Sequence, residues 1–242
     1  LETTLHRQLK ELYCPAAEHR EVRLGAYRID GMAEGRLIEI QQSPLGAIRD
    51  KVRTLLQTHR VLVVKPLAAE KTIFKWDTGK KRVESCRKSP RHEQPWTLFE
   101  ELVHFVTVFP HERLGLELVL TEQQEDRVPA RRRSRRGKDY RVVDKRLVEV
   151  RGVFRVETTD DLWNLLPDLP VEFTTAELAA AMAAPRWVAQ KVGYCLRKTG
   201  AAETAGKRGN SLVYRRIARA VEAPPELAAL AKKRSRRKKL AA

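Results

Sequence analysis

The chain opens on an apolar stripe. Leu1, Leu5, Leu9 and Leu12 recur at helical spacing, and Pro15 ends the run. The period then shortens. Val22 and Leu24 alternate with charged residues, which predicts a strand broken by Gly25. Ala26 to Met32 reads as a second strand and Glu34-Gly35 as a turn. Leu37, Ile38 and Ile40 form a third strand, with Glu39 and Gln41 on the face opposite Ile38 and Ile40. Ser43-Pro44 begins a helix reaching about Gln57. Val61 to Val64 is an unbroken apolar run, the mark of a strand buried on both faces. The order is helix, three strands, helix, strand.

Further along, Lys71 to Trp76 and Arg82 to Cys86 flank Thr78-Gly79-Lys80 and predict a hairpin. Trp96 to Val106 reads as helix and Leu114 to Leu120 as a strand. Tyr140 to Val156 reads as two strand-like runs split at Gly152. From Thr159 the pattern is helical again, with a short helix through Leu162, Trp163, Leu165 and Leu166. Thr174 and Glu177 have the spacing of a capping box and open a helix to about Ala183. Pro185 opens the next helix and Gly200 closes it. Strands at 202–204 and 212–217 enclose Gly206-Lys207-Arg208-Gly209-Asn210.

Charge changes the picture. The 242 residues fit one large or two modest domains, and they carry a net charge of +17. Two runs supply most of it. Residues 131–138 (RRRSRRGK) hold six basic residues, and residues 232–239 (KKRSRRKK) hold seven, with no acid in either. Such runs follow phosphates without reading sequence, so a nucleic-acid partner is expected, and Arg131, Arg132, Arg133, Arg135 and Arg136 are assigned to it. The three cysteines are far apart and form no CxxC pair, which argues against a disulfide framework and a thiolate zinc site. No apolar run approaches the ~20 residues that span a bilayer, so no membrane partner is expected. A cytoplasmic location is expected, on the nucleoid in a bacterium.

The candidate chemistry lies in Tyr27-Arg28-Ile29-Asp30 and Ile38-Glu39-Ile40-Gln41. A tight hairpin brings these strands side by side, so the Asp30 and Glu39 carboxylates can share one Mg²⁺ (or Mn²⁺), helped by the Ile40 carbonyl. Such an ion activates water and stabilises charge on a phosphodiester. The layout resembles the PD-(D/E)XK nuclease superfamily. The Asp…Glu-x-Gln variant followed by Gln42-Ser43-Pro44 is similar to the CoiA-like nucleases. In that group a helical histidine and lysine precede the strands, as His6 and Lys10 do here. The resemblance covers roughly residues 1–66 and implies metal-dependent hydrolysis of a phosphodiester. One position departs from it. The superfamily has Lys two residues after the Glu, and here Gln41 stands there. Glutamine orients a water or phosphate oxygen but supplies no positive charge, so Lys10, Lys51 and Lys65 are candidates for the missing cation. Asp144, Glu149 and Arg151 form a second acid–acid–basic series, read as an amphipathic strand.

Residues 159–218 resemble a winged helix, three helices and a two-stranded wing. Its last helix buries Val188, Val192, Cys195 and Leu196 and presents Arg186, Gln190, Lys191, Arg197 and Lys198 to a major groove. Lys207 and Arg208 sit at the wing tip. Trp187 and Tyr194 are read as packing residues.

The expected fold is thus α/β: a restriction-endonuclease-like core over 1–128, a basic loop and β extension over 129–158, a winged helix over 159–220 and a flexible basic tail over 221–242. The expected function is a DNA endonuclease acting on duplex or branched DNA. A duplex cutter often needs two active sites, which points to a homodimer or a partner protein. The rivals are a non-catalytic DNA-binding regulator on a degenerate nuclease fold and an RNA-associated basic protein.

Overall fold

The computed structural model describes residues 2–130 and 139–217. The five arginines assigned within 131–138, and the tail beyond 217, lie outside the described residues. The first helix, α1 (Thr4–Tyr13), follows the leucine stripe: Leu5 and Leu9 are buried, whereas Leu12 is 55% exposed. Strands β1 (Arg20–Leu24), β2 (Tyr27–Ala33) and β3 (Arg36–Ile40) form an antiparallel meander. Glu34 and Gly35 both have positive φ, 51° and 70°, as a two-residue hairpin turn between twisted strands requires. Next come α2 (Arg49–Leu55), the long strand β4 (Arg60–Trp76), β5 (Val83–Lys88) and α3 (Leu98–Leu102). Strands β6 (Leu114–Pro129) and β7 (Tyr140–Val156) complete the main sheet.

That sheet is mixed and seven-stranded, in the order β1-β2-β3-β4-β6-β7, with β5 paired to β4. The β3–β4 and β4–β6 neighbours are parallel. These central strands are covered on both sides, which is why Val61, Val63 and Val64 are all buried. One apolar cluster lies on the α2–α3 side. A smaller one packs Leu5 and Leu9 of α1 against Ile38, Ile40, Val64 and Val119.

The long strands correct the sequence reading. Val61–Val64 and Lys71–Trp76 belong to one 17-residue strand, and Leu114–Leu120 continues to Pro129, so the expected boundary at 128 falls inside β6. Gly152 does not split β7. The register shifts there, Leu120 pairing with Gly152 and Thr121 with Val150, so Arg151 is the extra residue of a bulge. The last described pairs are Pro129 with Tyr140 and, at 2.9 Å, Ala130 N–H to the Asp139 carbonyl. The basic segment 131–138 therefore joins the two arms of one hairpin. Helix α3 is shorter than the expected 96–106, because Pro95–Thr97 forms a 3-10 turn before it.

Beyond residue 158, Asp160–Leu165 forms a 3-10 turn rather than an α-helix. Strand β8 (Glu172–Thr174), α4 (Thr175–Ala181), α5 (Arg186–Thr199), β9 (Ala202–Arg208) and β10 (Ser211–Arg216) follow, with sheet order β8-β10-β9. The capping box forms with both bonds: Glu177 N–H donates to Thr174 Oγ1 at 3.3 Å, and Thr174 N–H donates to Glu177 Oε2 at 2.7 Å. Gly200 ends α5 at φ 78°, a left-handed position. This part shares the larger apolar cluster with the main sheet, and the Cys195 thiol reaches the Phe99 carbonyl of α3 at 3.7 Å. The chain is a mixed α/β fold with a large sheet and few helices. Among the described residues no helix is long and apolar enough to cross a membrane.

Candidate active site

The functional geometry begins where β2 and β3 part. Their ladder runs from Ala33–Arg36 to Gly31–Ile38. One residue further, the Asp30 side chain takes the place of a main-chain acceptor: its Oδ2 accepts the Ile40 N–H at 2.8 Å. Its Oδ1 lies 3.0 Å from His6 Nε2. Gly31 makes this approach possible, since a Cβ there would lie 2.9 Å from Cys14 Cβ at the end of α1. In extended backbone the N–H and C=O of one residue face the same edge, so the Ile40 carbonyl also points to the Asp30 side.

Glu39 is 5% exposed, on the opposite face of β3 from Ile38 and Ile40. Its Oε1 lies 2.5 Å from Lys51 Nζ. Val52 and Leu55 bury the inner side of α2, which leaves Lys51 at the rim, and its ammonium also donates to the Arg28 carbonyl at 2.6 Å. One lysine therefore ties α2 to β3 and β2.

The two carboxylates are pushed apart electrostatically. Burial raises Asp30, but the His6 hydrogen bond and charge, the Ile40 N–H and the Lys10 charge outweigh it, so Asp30 lies below the usual carboxylate range. Burial raises Glu39 too. There Lys51 pulls down and the Asp30 charge pushes up, and Glu39 lies above the usual range. Divergent carboxylates in one site are a pattern of acid–base and metal chemistry.

Around Asp30 lies an open cleft of about 250 Å³ lined by Glu2, His6, Lys10, Glu21, Arg28 and Asp30. Lys10 Nζ lies 2.5 Å from Glu2 Oε1 and also pairs with Glu21, which pairs in turn with Arg28. Glu21 has φ 58°, a left-handed backbone for a non-glycine residue, and such strain gathers at functional sites. Glu2 and Glu21 carry no signal in the sequence, because only the fold brings them to Asp30; Arg28 shares a strand face with Asp30 two residues on. Asp144, expected as part of an amphipathic strand, anchors a helix: its carboxylate accepts from Thr4 N–H at 2.8 Å and Thr4 Oγ1 at 2.7 Å. Leu147 N–H donates to Gln8 Oε1 at 2.8 Å. Both contacts fasten α1, the carrier of His6 and Lys10, to β7.

Two expected residues point elsewhere. The Gln41 side chain is buried and its Nε2 donates to the Pro44 carbonyl at 2.9 Å, so it braces the turn into α2. Lys65 turns to Glu101 at 2.9 Å and to the Ser43 carbonyl at 2.8 Å. Of the three candidate cations, Lys51 and Lys10 are at the site and Lys65 is not.

On α5, Arg186, Gln190, Arg197 and Lys198 are exposed and Lys191 is half-buried, opposite the buried Val188, Val192, Cys195 and Leu196. Lys207 and Arg208 end β9 at the turn to β10, where Arg208 pairs with Glu177 at 2.7 Å. Trp187 is not a packing residue: it is 49% exposed, with Lys191 Nζ 4.9 Å from its ring centroid.

The class defined by these features is a mixed α/β protein with a charged cleft between its first helix and strands β1 and β2. The chain belongs to the family described as "Domain of unknown function (DUF8091)", whose profile matches residues 3–157. A protein of Treponema pallidum (strain Nichols), described as "Uncharacterized protein", is 30% identical over 218 residues, covering 89% of this chain and 85% of the relative. No solved structure matches the chain.

Proposed function

We propose that the chain is a metal-dependent DNA endonuclease of the PD-(D/E)XK type, with a winged helix as its DNA reader. The observation that carries this reading is the Lys51–Glu39 contact of 2.5 Å. The following helix supplies the cation that Gln41 cannot, beside a second carboxylate whose orientation is set by His6 and the Ile40 N–H.

The proposed cofactor is one hard divalent ion held by few protein ligands. Among the described residues no three His, Cys, Asp or Glu side chains gather, so a cage made wholly of side chains is absent. Mg²⁺ takes one or two carboxylates and keeps several waters, which suits Asp30, Glu39 and the Ile40 carbonyl. When bound, Mg²⁺ or Mn²⁺ would supply Lewis acidity toward a phosphodiester oxygen and a more acidic water. The chain's own residues do the rest. His6 holds the Asp30 carboxylate in one orientation. Lys51, beside Glu39, would offset negative charge building on a phosphate. Lys10 and Arg28 line the open cleft, where a backbone phosphate would meet them. The exposed face of α5 and the turn bearing Lys207 and Arg208 support DNA contact, with the basic run 131–138 adding affinity that does not depend on sequence.

Nicking of supercoiled and branched DNA with Mg²⁺ or Mn²⁺ tests the reading. Asp30→Asn and Glu39→Gln should abolish cleavage and keep the gel shift. Lys51→Met should lower the rate by about 10²-fold, the usual scale for one charge-stabilising group. Unchanged cleavage in Asp30→Asn and Glu39→Gln would remove the site assignment. One observation favours a second reading, a DNA-binding regulator: Asp30 and Glu39 are each closed on a protein partner, His6 and Lys51. A gel shift without any cleavage under either ion selects it. Preference for structured RNA at matched salt selects an RNA-associated protein instead.

A further inference from the structure

A second cavity, of about 110 Å³, shares no lining residue with the Asp30 cleft. That is several times the roughly 10–15 Å³ one ordered water requires. Leu5, Gln42, Pro66 and Gln123 contribute to its wall, and three lysines, Lys65, Lys71 and Lys145, converge on it.

The charges in its wall are unequally matched. Lys65 is balanced by Glu101 at 2.9 Å, and Lys71 faces Glu125 at 3.5 Å, a carboxylate it shares with Arg127 at 2.6 Å. The wall carboxylates are likewise engaged: Glu93 Oε2 accepts the Ala68 N–H at 2.7 Å, and Glu101 Oε2 accepts the Leu45 N–H at 3.1 Å. Lys145 differs. Among the described residues no carboxylate lies within ion-pair distance of its ammonium. Burial pushes its pKa down; Glu125 and Glu93 pull it back up, and Lys71 and Lys65 push it down again. The Lys145 ammonium is thus half-buried beside two others, and the acids nearest it are already bonded elsewhere.

We propose that this cavity is a binding site for a phosphate-class oxyanion, held chiefly by Lys145 with Lys71 and Lys65 behind it. A tetrahedral oxyanion presents several acceptors to donors that arrive from separate strands, β4 and β7, and each charge-assisted bond is worth more than a neutral one. The anion is either free phosphate or the phosphorylated end of a nucleic acid. A passing duplex backbone fits a small recess less well than a terminal monoester does. The inference stands apart from the nuclease reading, because it is tested without divalent metal and without turnover.

The test is calorimetric titration of the full chain with inorganic phosphate, then with 5′-phosphorylated and 5′-hydroxyl oligothymidylates, at fixed ionic strength with chelator present. Inorganic phosphate should bind. Lys145→Met should weaken it by about tenfold or more, the loss of one charge-assisted hydrogen bond. Lys145→Arg should retain most of the affinity, and thermal melting would show that both variants fold. If the phosphorylated oligonucleotide is preferred and Lys145→Met erases the preference, the occupant is a nucleic-acid end. If free phosphate binds with the same dependence and the oligonucleotides do not differ, the occupant is a free anion. Absence of phosphate binding by the wild-type chain overturns the proposal. So does binding that Lys145→Met leaves unchanged, which would place the anion on the basic runs.

Discussion

Replacing Asp144 by alanine should loosen the helix that carries His6 and Lys10 to the cleft. The carboxylate holds the first turn of α1 through Thr4 N–H at 2.8 Å and Thr4 Oγ1 at 2.7 Å. Bonds to a charged group are worth about 1.5–3 kcal/mol each. Asp144 is half-buried, so water replaces part of that on removal, and Thr3 still caps the helix through His6 N–H. The expected loss is about 2–3 kcal/mol, equivalent to a fall in Tm of roughly 5–10 °C for a chain of this size. The pH dependence has a defined sign. Burial pushes the Asp144 carboxyl up, but the two Thr4 bonds and the Lys145 N–H outweigh it, leaving it below its ordinary value of 3.8. Its contribution is therefore fully present above about pH 4 and lost as pH falls through the lower folded value. Urea unfolding of wild type and Asp144→Ala at neutral pH and then in acid would measure this, and hydrogen exchange would report α1 amides separately. Equal stability at neutral pH would refute the pinning role. So would a deficit that persists undiminished when the wild-type carboxylate is protonated.

Three further outcomes follow from other contacts. Lys51→Met should destabilise the chain by about 2–4 kcal/mol, because Glu39 is left buried without its partner, and a second change, Glu39→Gln, should recover most of that; chemical unfolding of the single and double variants would show it. Native-state alkylation should label Cys86, which is exposed, and spare Cys14 and Cys195, which are buried; burial also pushes the Cys195 thiol up to about 12, and mass spectrometry of labelled peptides reads the result. Trp187→Ala should change stability by less than about 0.5 kcal/mol, as befits an exposed side chain, while weakening DNA binding if α5 is the reader; melting and gel-shift titration separate the two.

Local chemistry made much of this architecture readable from residues alone. Glu34-Gly35 demands a tight hairpin, Thr174 and Glu177 a helix start, and the Val61–Val64 run a central strand. Each follows from neighbours in sequence. The long strands were less visible, because β6 changes character along its length. Leu114–Leu120 is apolar, whereas Glu125 and Asp126 are buried acids matched by Lys71 on β4 and Arg146 on β7. A polar residue reads as loop or surface when its partner lies in another strand. The site divides in the same way. Asp30 and Glu39 announce themselves through alternation and a turn. The lysine beside Glu39 could not be chosen from spacing, since Lys10, Lys51 and Lys65 were all eligible until helix orientation placed one there. Gln41 looked like a site residue because it shares a face with Glu39, yet its amide braces Pro44.

The shared apolar cluster has a consequence for how such chains are delimited. The family profile stops at residue 157, but the packing does not: Leu162, Phe173, Val192, Leu196 and Tyr214 lie in one cluster with Phe99, Leu102 and Phe105. The Treponema pallidum relative aligns over 218 residues, more than the profile spans, so its similarity extends into this second part as well. A fragment cut at the family boundary would present a greasy, unroofed wall to water. Any relative ending at that boundary must bring its own roof, from another segment or another chain.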